Sequence, residues 1–323
     1  MKASERGAAL LTVLLLVSVM AVLSASALER LRLSTRLAAN AGAIDQARAY
    51  ALAAEQIAAS RISSLVDADP ARTPLGWAGR ETNLPLPGGI ATAVVRDGGN
   101  CFNLNSVVSG QAGTPLIARP VGIAQFENLM QILGIGEGEA HKVAVSLADW
   151  IDSDTQAQPE GAEDGAYAGG ETPYKTANTL IADPSELRAV AGVTPELYEK
   201  VRPWVCALPA TDLSPLNVNT LTPEQAPLLA MLQPAIISPD RARALIAGRP
   251  VGGWESTTQF WQQFASQGQV IDLGVQQQLF VRTRWFGLHL HVQLGDSEVD
   301  ETALIDASVP PAKLVRRNWG EGI

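Results

Sequence analysis

A long run without charge lies near the start of this chain and constrains the rest of the fold. Residues 7–28 contain no Asp, Glu, Lys or Arg, and they follow the short polar segment MKASER. At 1.5 Å per residue, a helix of this length spans about 30 Å, the thickness of the hydrocarbon core of a bilayer. The sequence therefore predicts a membrane-spanning helix at residues 8–28.

The helical pattern continues beyond the apolar run. Residues 29–66 contain no proline and a single glycine, Gly42, and they are rich in Ala, Leu, Arg and Gln, which favour helices. One continuous helix over residues 8–66 would be about 80 Å long, with one half in lipid and the other half in water.

Two other interpretations of the N-terminus compete with this one. The segment Ala25-Ser26-Ala27 has the A-x-A form of a signal-peptidase site, although the apolar run is longer than the usual h-region of about 7–15 residues. A simple membrane anchor is the other interpretation. The charges do not decide the orientation, because Lys2 and Arg6 precede the span and three arginines follow it, namely Arg30, Arg32 and Arg36.

Strand patterns occur on both sides of a long helical region. Residues 90–96 form a candidate strand that Asp97-Gly98-Gly99 ends, after a connection over residues 70–88. Residues 288–294 alternate apolar and polar side chains, as a half-buried antiparallel strand does. Residues 279–285 form either another strand or the first half of a longer one that continues into residues 288–294, and further candidate strands lie at residues 302–309 and 313–319. The predicted class is α+β, with one sheet built from residues 67–104 and 278–323, and an all-α insertion at residues 105–277.

The predicted insertion repeats a short motif. The sequence FNLNS at residues 102–106 returns as LNVNT at residues 216–220, and each copy precedes a helix-hairpin-helix-like (SAM-like) pattern. In DNA-binding versions of this unit, hairpin amides and a helix N-terminus hold a phosphate. Here Glu137 and Glu139 would repel a phosphate, and Pro239 replaces the glycines of the second hairpin. A scaffold role is favoured, and the net charge of −9 also argues against nucleic acid and against broad adhesion to anionic lipid.

The leader resembles the processing site of type IV prepilins and pseudopilins. The resemblance rests on Arg6-Gly7 followed at once by the apolar run, and it implies that a prepilin peptidase cuts between Gly7 and Ala8, leaving a methylated Ala8. Residues 1–7 would then be a cytoplasmic leader, and the chain a single-pass protein of the bacterial inner membrane with its body in the periplasm.

One departure narrows the resemblance further. Most pseudopilins have a glutamate five residues into the mature chain, where this sequence has Thr12. This lack is typical of the general secretion pathway protein K family, the largest minor pseudopilins of type II secretion. Membership implies a pilin-like long helix packed on an antiparallel sheet. It also implies a structural role, not an enzymatic one: with other minor pseudopilins the protein would form the tip of the pseudopilus, which supports export of folded proteins across the outer membrane.

The periplasmic location implied by the leader bears on the two cysteines. Cys101 and Cys206 both follow the membrane span, and an even pair in an oxidising compartment favours a disulfide. Two buried free thiols are the alternative.

An acidic loop is the most pointed candidate site. Residues 149–171 contain no Lys or Arg but seven carboxylates: Asp149, Asp152, Asp154, Glu160, Glu163, Asp164 and Glu171. Hard oxygen ligands on a flexible loop suit Ca²⁺, and the segment Asp-Trp-Ile-Asp-Ser-Asp with the following Gly-Ala-Glu-Asp resembles the calcium loop of the protein K family. The resemblance implies a set of five ligands: Asp152, Asp154, Glu160, Glu163 and Asp164. A solvated acidic loop without metal is the alternative.

Other functions have weaker support. His289 and His291 share one strand face but have no evident third metal ligand, and no nucleophilic or nucleotide-binding motif appears. The competing functions are therefore a membrane-tethered DNA receptor built on the hairpin units and a secreted calcium-binding domain released by signal peptidase.

Overall fold

The computed structural model describes residues 3–111, 113–169, 172–265 and 269–320. Its helices, in chain order, are α1 (Ala3–Asp67), α2 (Pro120–Ile132), α3 (Glu137–Ile151), α4 (Asp164–Tyr167), α5 (Pro195–Val201), α6 (Ala226–Ala230), α7 (Pro239–Ala247), α8 (Thr257–Ala265) and α9 (Leu273–Gln276). Short 3₁₀ helices lie at Leu104–Val107, Pro184–Ala189, Arg202–Trp204 and Pro223–Gln225. The strands are β1 (Glu81–Leu86), β2 (Gly89–Asp97), β3 (Phe102–Asn103), β4 (Val108–Ser109), β5 (Ile117–Ala118), β6 (Val205–Cys206), β7 (Leu216–Asn217), β8 (Leu279–Phe280), β9 (Trp285–Leu294), β10 (Ser297–Asp306) and β11 (Lys313–Trp319).

The first half of α1 extends away from the rest of the described chain, and the second half packs on a sheet. The apolar side chains between Leu10 and Leu37 are exposed, whereas Ala54, Ala58 and Ile62 are buried. The buried residues recur every four positions, so they form one face of the helix. The described residues contain one helix that is long and apolar enough to cross a membrane, and it is this one.

The sheet has five antiparallel strands in the order β1-β2-β9-β10-β11. Alternate residues of β9, namely Phe286, Leu288 and Leu290, lie in the same core as the alanine face of α1. Small side chains on α1 let its backbone come close to the sheet, so large strand residues fill the interface. This arrangement confirms the predicted α+β class, with a long helix on an antiparallel sheet made from both ends of the chain.

Three strand predictions differ from the structure. β1 lies inside the predicted connection over residues 70–88; its Pro85 obscured the pattern, but proline is tolerated in an edge strand. β10 begins at Ser297 and ends at Asp306, whereas residues 302–309 were predicted, because its acidic residues mask the alternation. The predicted strand at 279–285 is divided between β8, which pairs with β7, and the first residue of β9.

The inserted domain consists of two units, and each is closed by a short parallel ladder. β3 pairs with β6 around the first unit, and β7 pairs with β8 around the second. Apart from these ladders and the two-residue β4–β5 pair, the regular structure of the domain is helical, in agreement with the predicted helical insertion. Its core includes Phe102 and Leu279, which lie outside the predicted limits 105–277, because the closing strands are part of each unit.

Each unit contains a helix hairpin. In the first unit, α2 ends in a turn in which the amide of Gly134 donates to Gln131 O and that of Ile135 donates to Met130 O. Gly134 adopts φ 79°, a left-handed conformation that glycine takes without steric penalty. In the second unit, α6 and α7 form the corresponding hairpin, and Ser238 caps α7 by accepting from the Arg241 amide.

The repeated N-x-N motifs make the same contact in both units. The Asn105 side chain donates to Ile181 O and accepts from Ile181 N, at 2.9 and 2.8 Å. In the second unit, the Asn219 side chain donates to Trp254 O and accepts from Trp254 N, at 2.9 and 2.7 Å. The motif therefore fastens a distant loop to the start of each unit.

Two further contacts hold the domain together. Cys101 and Cys206 form a disulfide with a Cα–Cα distance of 5.8 Å, next to the β3–β6 ladder. At the junction with the sheet, the Asp97 carboxylate accepts hydrogen bonds from the hydroxyls of Thr220 and Thr283. Asp97 thus links the end of β2 to the second unit.

Candidate functional site

The C-terminal end of α3 opens the acidic loop, and Asp149 shapes it. The buried Asp149 carboxylate accepts hydrogen bonds from the amides of Gln158 at 3.1 Å and Ala162 at 2.8 Å. Gly161 passes so close that a Cβ there would lie 2.0 Å from Asp149 Oδ2. Asp149 is therefore the residue around which the loop folds.

Three carboxylates converge inside the loop. One oxygen atom from each of Asp152, Asp154 and Glu163 lies within 4.8 Å of the others. Asp152 and Glu163 are 1% and 9% exposed. Both oxygens of Asp152 and Oε1 of Glu163 have no hydrogen-bond partner among the described residues. Buried carboxylate oxygens without partners are unfavourable, and within the described ranges the cluster has no hydrogen-bonded positive charge to compensate these oxygens.

The electrostatics of the cluster show the same imbalance. Burial raises the pKa of Asp152 to about 7, and the neighbouring Asp154, Asp149 and Glu163 add to the rise. Burial, and then the charge of Asp149, also raises the pKa of Glu163. Each group is easier to protonate because another negative charge lies nearby in a partly desolvated place. A bound cation would instead favour the charged carboxylates and lower their pKa values.

The other predicted ligands lie elsewhere. Asp164 forms an ion pair with Lys175 at 2.9 Å and accepts from the amide and hydroxyl of Thr176, and these bonds lower its pKa. Glu160 is exposed, with φ 66°, and is not part of the converging group. Glu171 lies outside the described residues. The structure thus brings together Asp152, Asp154 and Glu163 of the five predicted ligands.

Neighbouring side chains support the cluster; the resemblance to the calcium loop of the protein K family includes the aromatic ones, whereas the sequence did not single out Thr176. The Thr176 hydroxyl lies 3.3 Å from Glu163 Oε2 and 2.9 Å from Asp164 Oδ1, so it bridges the two acids. Trp150, Tyr167 and Tyr174 form a mutual aromatic contact beside the loop, with ring centroids 5.1–6.0 Å apart. The Tyr174 hydroxyl donates to Ala189 O, and the Tyr167 hydroxyl accepts from the Ala191 amide. These rings attach the loop to the body of the first unit.

The donor set fits a hard divalent cation. Carboxylate oxygens on a loop that can adjust its geometry are the ligands that Ca²⁺ prefers, and the unpaired oxygens of Asp152 and Glu163 are available for it. Among the described residues, this is the one group of at least three His, Cys, Asp or Glu side chains with such close ligand atoms. His291 Nδ1 lies 2.8 Å from Asp300 Oδ1, and His289 is exposed; among the residues described, neither histidine belongs to a close group of three such side chains.

The predicted processing site lies at the start of α1. Gly7 and Ala8 fall within the helix Ala3–Asp67, although their side chains lie outside what the structure describes. Thr12 follows one turn later, on the exposed part of the helix.

A long apolar helix that continues onto an antiparallel sheet, with a two-unit helical domain inserted in the chain, defines a pilin-like subunit. Family models described as type II secretion system (T2SS), protein K match residues 100–210 and residues 216–281. These two ranges coincide with the two units of the inserted domain.

Full-length relatives show the same similarity. Type II secretion system protein K of Pectobacterium carotovorum is 34% identical and covers 99% of this chain and 98% of its own length. The protein K of Aeromonas hydrophila is 36% identical, with 91% of this chain and 90% of the relative aligned. The chain belongs to the type II secretion system protein K family.

A solved structure agrees with this assignment. A chain in the crystal structure of the GspK-GspI-GspJ complex from the type 2 secretion system of enterotoxigenic Escherichia coli is 31% identical, with a TM-score of 0.73. The similarity covers 86% of this chain and 96% of that chain. A match of this extent is longer than the inserted domain alone, so the similarity also includes other parts of the chain.

Proposed function

We propose that this protein is a minor pseudopilin that assembles with other minor pseudopilins into the tip complex of the periplasmic pseudopilus, supporting export of folded proteins across the outer membrane. The observation that carries the proposal is the similarity, over 86% of this chain, to a chain of the GspK-GspI-GspJ complex. As a structural component, the protein would act by occupying a position in an assembly.

Two physical features favour the tip over the shaft. Thr12 supplies no carboxylate to pair with the amino terminus of a neighbouring subunit, and a buried charge needs such a partner. The two-unit domain also adds bulk to one end of the subunit, which a filament accommodates more easily at its end than between successive turns.

The assembly can be tested by coexpression. The full chain is produced with two other minor pseudopilins in detergent, and complex formation is measured by size-exclusion chromatography with mass detection. A stable ternary complex and restored secretion in a strain lacking the protein K gene support the proposal. A chain that remains alone at micromolar concentration, or one that repeats along isolated pseudopili, contradicts it.

The N-terminal processing is a separate part of the proposal. A prepilin peptidase would cleave between Gly7 and Ala8 and leave a methylated Ala8, with residues 8–28 in the inner membrane and the body in the periplasm. The exposed apolar surface of α1 supports the anchor. Intact-mass analysis of membrane-extracted protein tests it: the expected mature chain starts at methylated Ala8, whereas cleavage by signal peptidase leaves a chain that starts at Leu28.

We also propose that Asp152, Asp154 and Glu163 bind Ca²⁺, and that Asp164 and Glu160 contribute less directly. The unpaired buried oxygens of the cluster support this role. Bound metal stabilises the folded state according to its affinity and concentration. The melting temperature should rise by several degrees in millimolar Ca²⁺ and fall again with a chelator, and a melting curve indifferent to both would remove the calcium proposal.

The alternative of a DNA receptor has no support. Glu137 and Glu139 occupy the first turn of α3, where a phosphate would have to bind, and the relatives that were found are secretion proteins. Titration with duplex DNA at low salt is the control, and no binding is expected.

A further inference from the structure

Three arginines follow the apolar run of α1, and we call them the arginine collar: Arg30, Arg32 and Arg36. All are exposed, and none has a hydrogen bond or an ion pair with any part of the chain that the structure describes. Glu29 is the one carboxylate between residues 7 and 44. The collar is therefore a concentrated positive charge in a protein whose net charge is −9.

The positions of the collar match the depth of a lipid headgroup layer. Along the helix axis, Arg30 lies about 3 Å and Arg36 about 12 Å beyond Leu28, the last residue of the apolar run. The headgroup region adds roughly 5–8 Å to each side of the hydrocarbon core, and arginine side chains extend along the helix to reach it.

The collar also surrounds the helix. Successive residues turn by about 100°, so Arg32 and Arg36 lie on one side and Arg30 on the other. Guanidinium groups bind phosphate in a planar, two-point manner, which a single lysine does not provide. A helix with these groups on both sides can hold phosphates from several neighbouring lipids.

We propose that the arginine collar binds the phosphate groups of anionic phospholipids in the outer leaflet of the inner membrane. This binding would set how deeply α1 lies in the bilayer and in which direction its second half points. This inference rests on the proposed membrane anchor. The anionic lipid surface that attracts the collar repels the acidic remainder of the chain, namely the sheet and the inserted domain. This repulsion keeps α1 upright, with the sheet and the inserted domain away from the membrane.

The arrangement gives the mature subunit a preferred direction of movement. Cleavage after Gly7 removes Lys2 and Arg6 from the cytoplasmic side, whereas the collar stays on the periplasmic side. Outward movement into a filament carries no guanidinium through the hydrocarbon core, but inward movement would carry all of the collar through it. The collar thus opposes slippage toward the cytoplasm and leaves extraction toward the periplasm open.

The test measures lipid retention by the mature full-length protein. Protein in nanodiscs of nine parts phosphatidylethanolamine to one part phosphatidylglycerol is released into mild detergent, and the lipids that remain bound are counted by native mass spectrometry. Wild-type protein should retain phosphatidylglycerol several-fold above its share in the bilayer. The collar variant R30Q/R32Q/R36Q should retain the two lipids in the bilayer ratio, since each arginine contributes roughly a fivefold factor near an anionic surface.

A matched control separates the collar from overall charge. R61Q/R80Q/R96Q removes the same number of exposed arginines from the body side of the chain and should retain phosphatidylglycerol as wild type does. The variant R30K/R32K/R36K keeps the charge and should show an intermediate enrichment. Circular dichroism checks that every variant folds.

Distinct results overturn the inference and the proposed anchor. Equal enrichment of phosphatidylglycerol in wild type and the collar variant contradicts the collar proposal, and so does no enrichment in wild type. If the protein also resists alkaline extraction from membranes, the proposed anchor is not affected by either result. Release of wild-type protein by alkaline carbonate contradicts the membrane anchor, and the collar proposal fails with it.

Discussion

Two buried glutamates on different elements share one guanidinium. Glu55 on α1 receives two hydrogen bonds from Arg317 on β11, at 2.7 and 2.8 Å. Glu301 on β10 is 1% exposed, and its Oε1 lies 3.3 Å from Arg317 Nε. Burial favours the neutral form of both acids. At Glu55 the hydrogen bonds from Arg317 outweigh the effect of burial, so the pKa of Glu55 is lowered. At Glu301 burial and the adjacent Glu55 raise the pKa to about 7. α1 is thus joined to the sheet through Glu55, Glu301 and Arg317, a cluster of two acids and one base.

This cluster predicts a pH-dependent stability. Because the folded-state pKa of Glu301 is about 7 and its ordinary value is 4.5, the native state binds the extra proton, and stability from this group is lost as the pH rises from about 4.5 to about 7. Glu301→Gln removes that titration. We expect the variant to match wild type at pH 5 and to exceed it at pH 8 by about 1–3 kcal/mol in denaturant unfolding of the detergent-solubilised protein.

A variant of the other acid provides the control. Glu55→Gln breaks the two-point ion pair with Arg317 and should destabilise the protein at pH 8. At each pH, the difference in free energy of unfolding between wild type and variant cancels the contribution of titrating groups elsewhere in the chain. Equal pH profiles for wild type and Glu301→Gln would show that Glu301 is ionised in the folded protein across this range.

Asp152 is another buried acid with a raised pKa, and a substitution there distinguishes the stability of the metal-free protein from its proposed response to Ca²⁺. Burial and three neighbouring carboxylates raise its pKa, so its charge is destabilising when no cation is present. Asp152→Asn should therefore increase stability in chelator at pH 8 by about 1–3 kcal/mol. The same substitution should abolish most of the rise in melting temperature with Ca²⁺.

The matched variant for this prediction lies away from the loop. Asp296→Asn, in the exposed turn between β9 and β10, removes the same charge. It should change neither the free energy of unfolding in chelator nor the rise in melting temperature with Ca²⁺. Destabilisation of Asp152→Asn in chelator would mean that the carboxylate is already compensated within the protein.

At the scale of an element, the acidic loop depends on one close backbone approach. Gly161 faces the Asp149 carboxylate, and a Cβ there would lie 2.0 Å from Oδ2. Gly161→Ala should therefore displace the hydrogen bonds from Gln158 and Ala162 and destabilise the protein by about 1–3 kcal/mol. Denaturant unfolding measures this effect, and protease cleavage within residues 153–163 should become faster.

A second glycine of the same loop is the control. Gly165 lies in α4, where an added Cβ would meet nothing within 4 Å, and alanine favours helices. Gly165→Ala should be neutral or slightly stabilising. Equal losses for both substitutions would show that the loop is sensitive to any side chain and not to the approach at Asp149.

At the scale of the whole molecule, the disulfide closes the first unit and carries a further prediction. Cys101 and Cys206 are 105 residues apart, so the bond restricts a long loop in the unfolded chain. The chain-entropy model assigns about 4–5 kcal/mol to a loop of this length. Replacing both cysteines with serine should lower the melting temperature by several degrees in non-reducing buffer.

Chemical reduction tests the same bond without substitution. Wild type in dithiothreitol should melt close to the double-serine variant, and the variant itself should not respond to dithiothreitol. A wild-type melting curve that reductant does not change would contradict a stabilising role for the disulfide.

The sequence alone determined the features that are local along the chain. The apolar run, the absence of proline to residue 66 and the alternation of residues 288–294 depend on neighbours in sequence, so the long helix and a central strand were predictable. The density of carboxylates after Asp149 likewise indicated the candidate site.

Only the tertiary structure decided which distant groups meet. β1 exists because an edge position tolerates Pro85, and the two units of the inserted domain are bounded by ladders between segments far apart in sequence. Asp152, Asp154 and Glu163 converge while Asp164 turns to Lys175, because the fold of the loop around Asp149 sets their directions. Composition specifies what chemistry is available, but burial and non-local pairing select the side chains that can perform it.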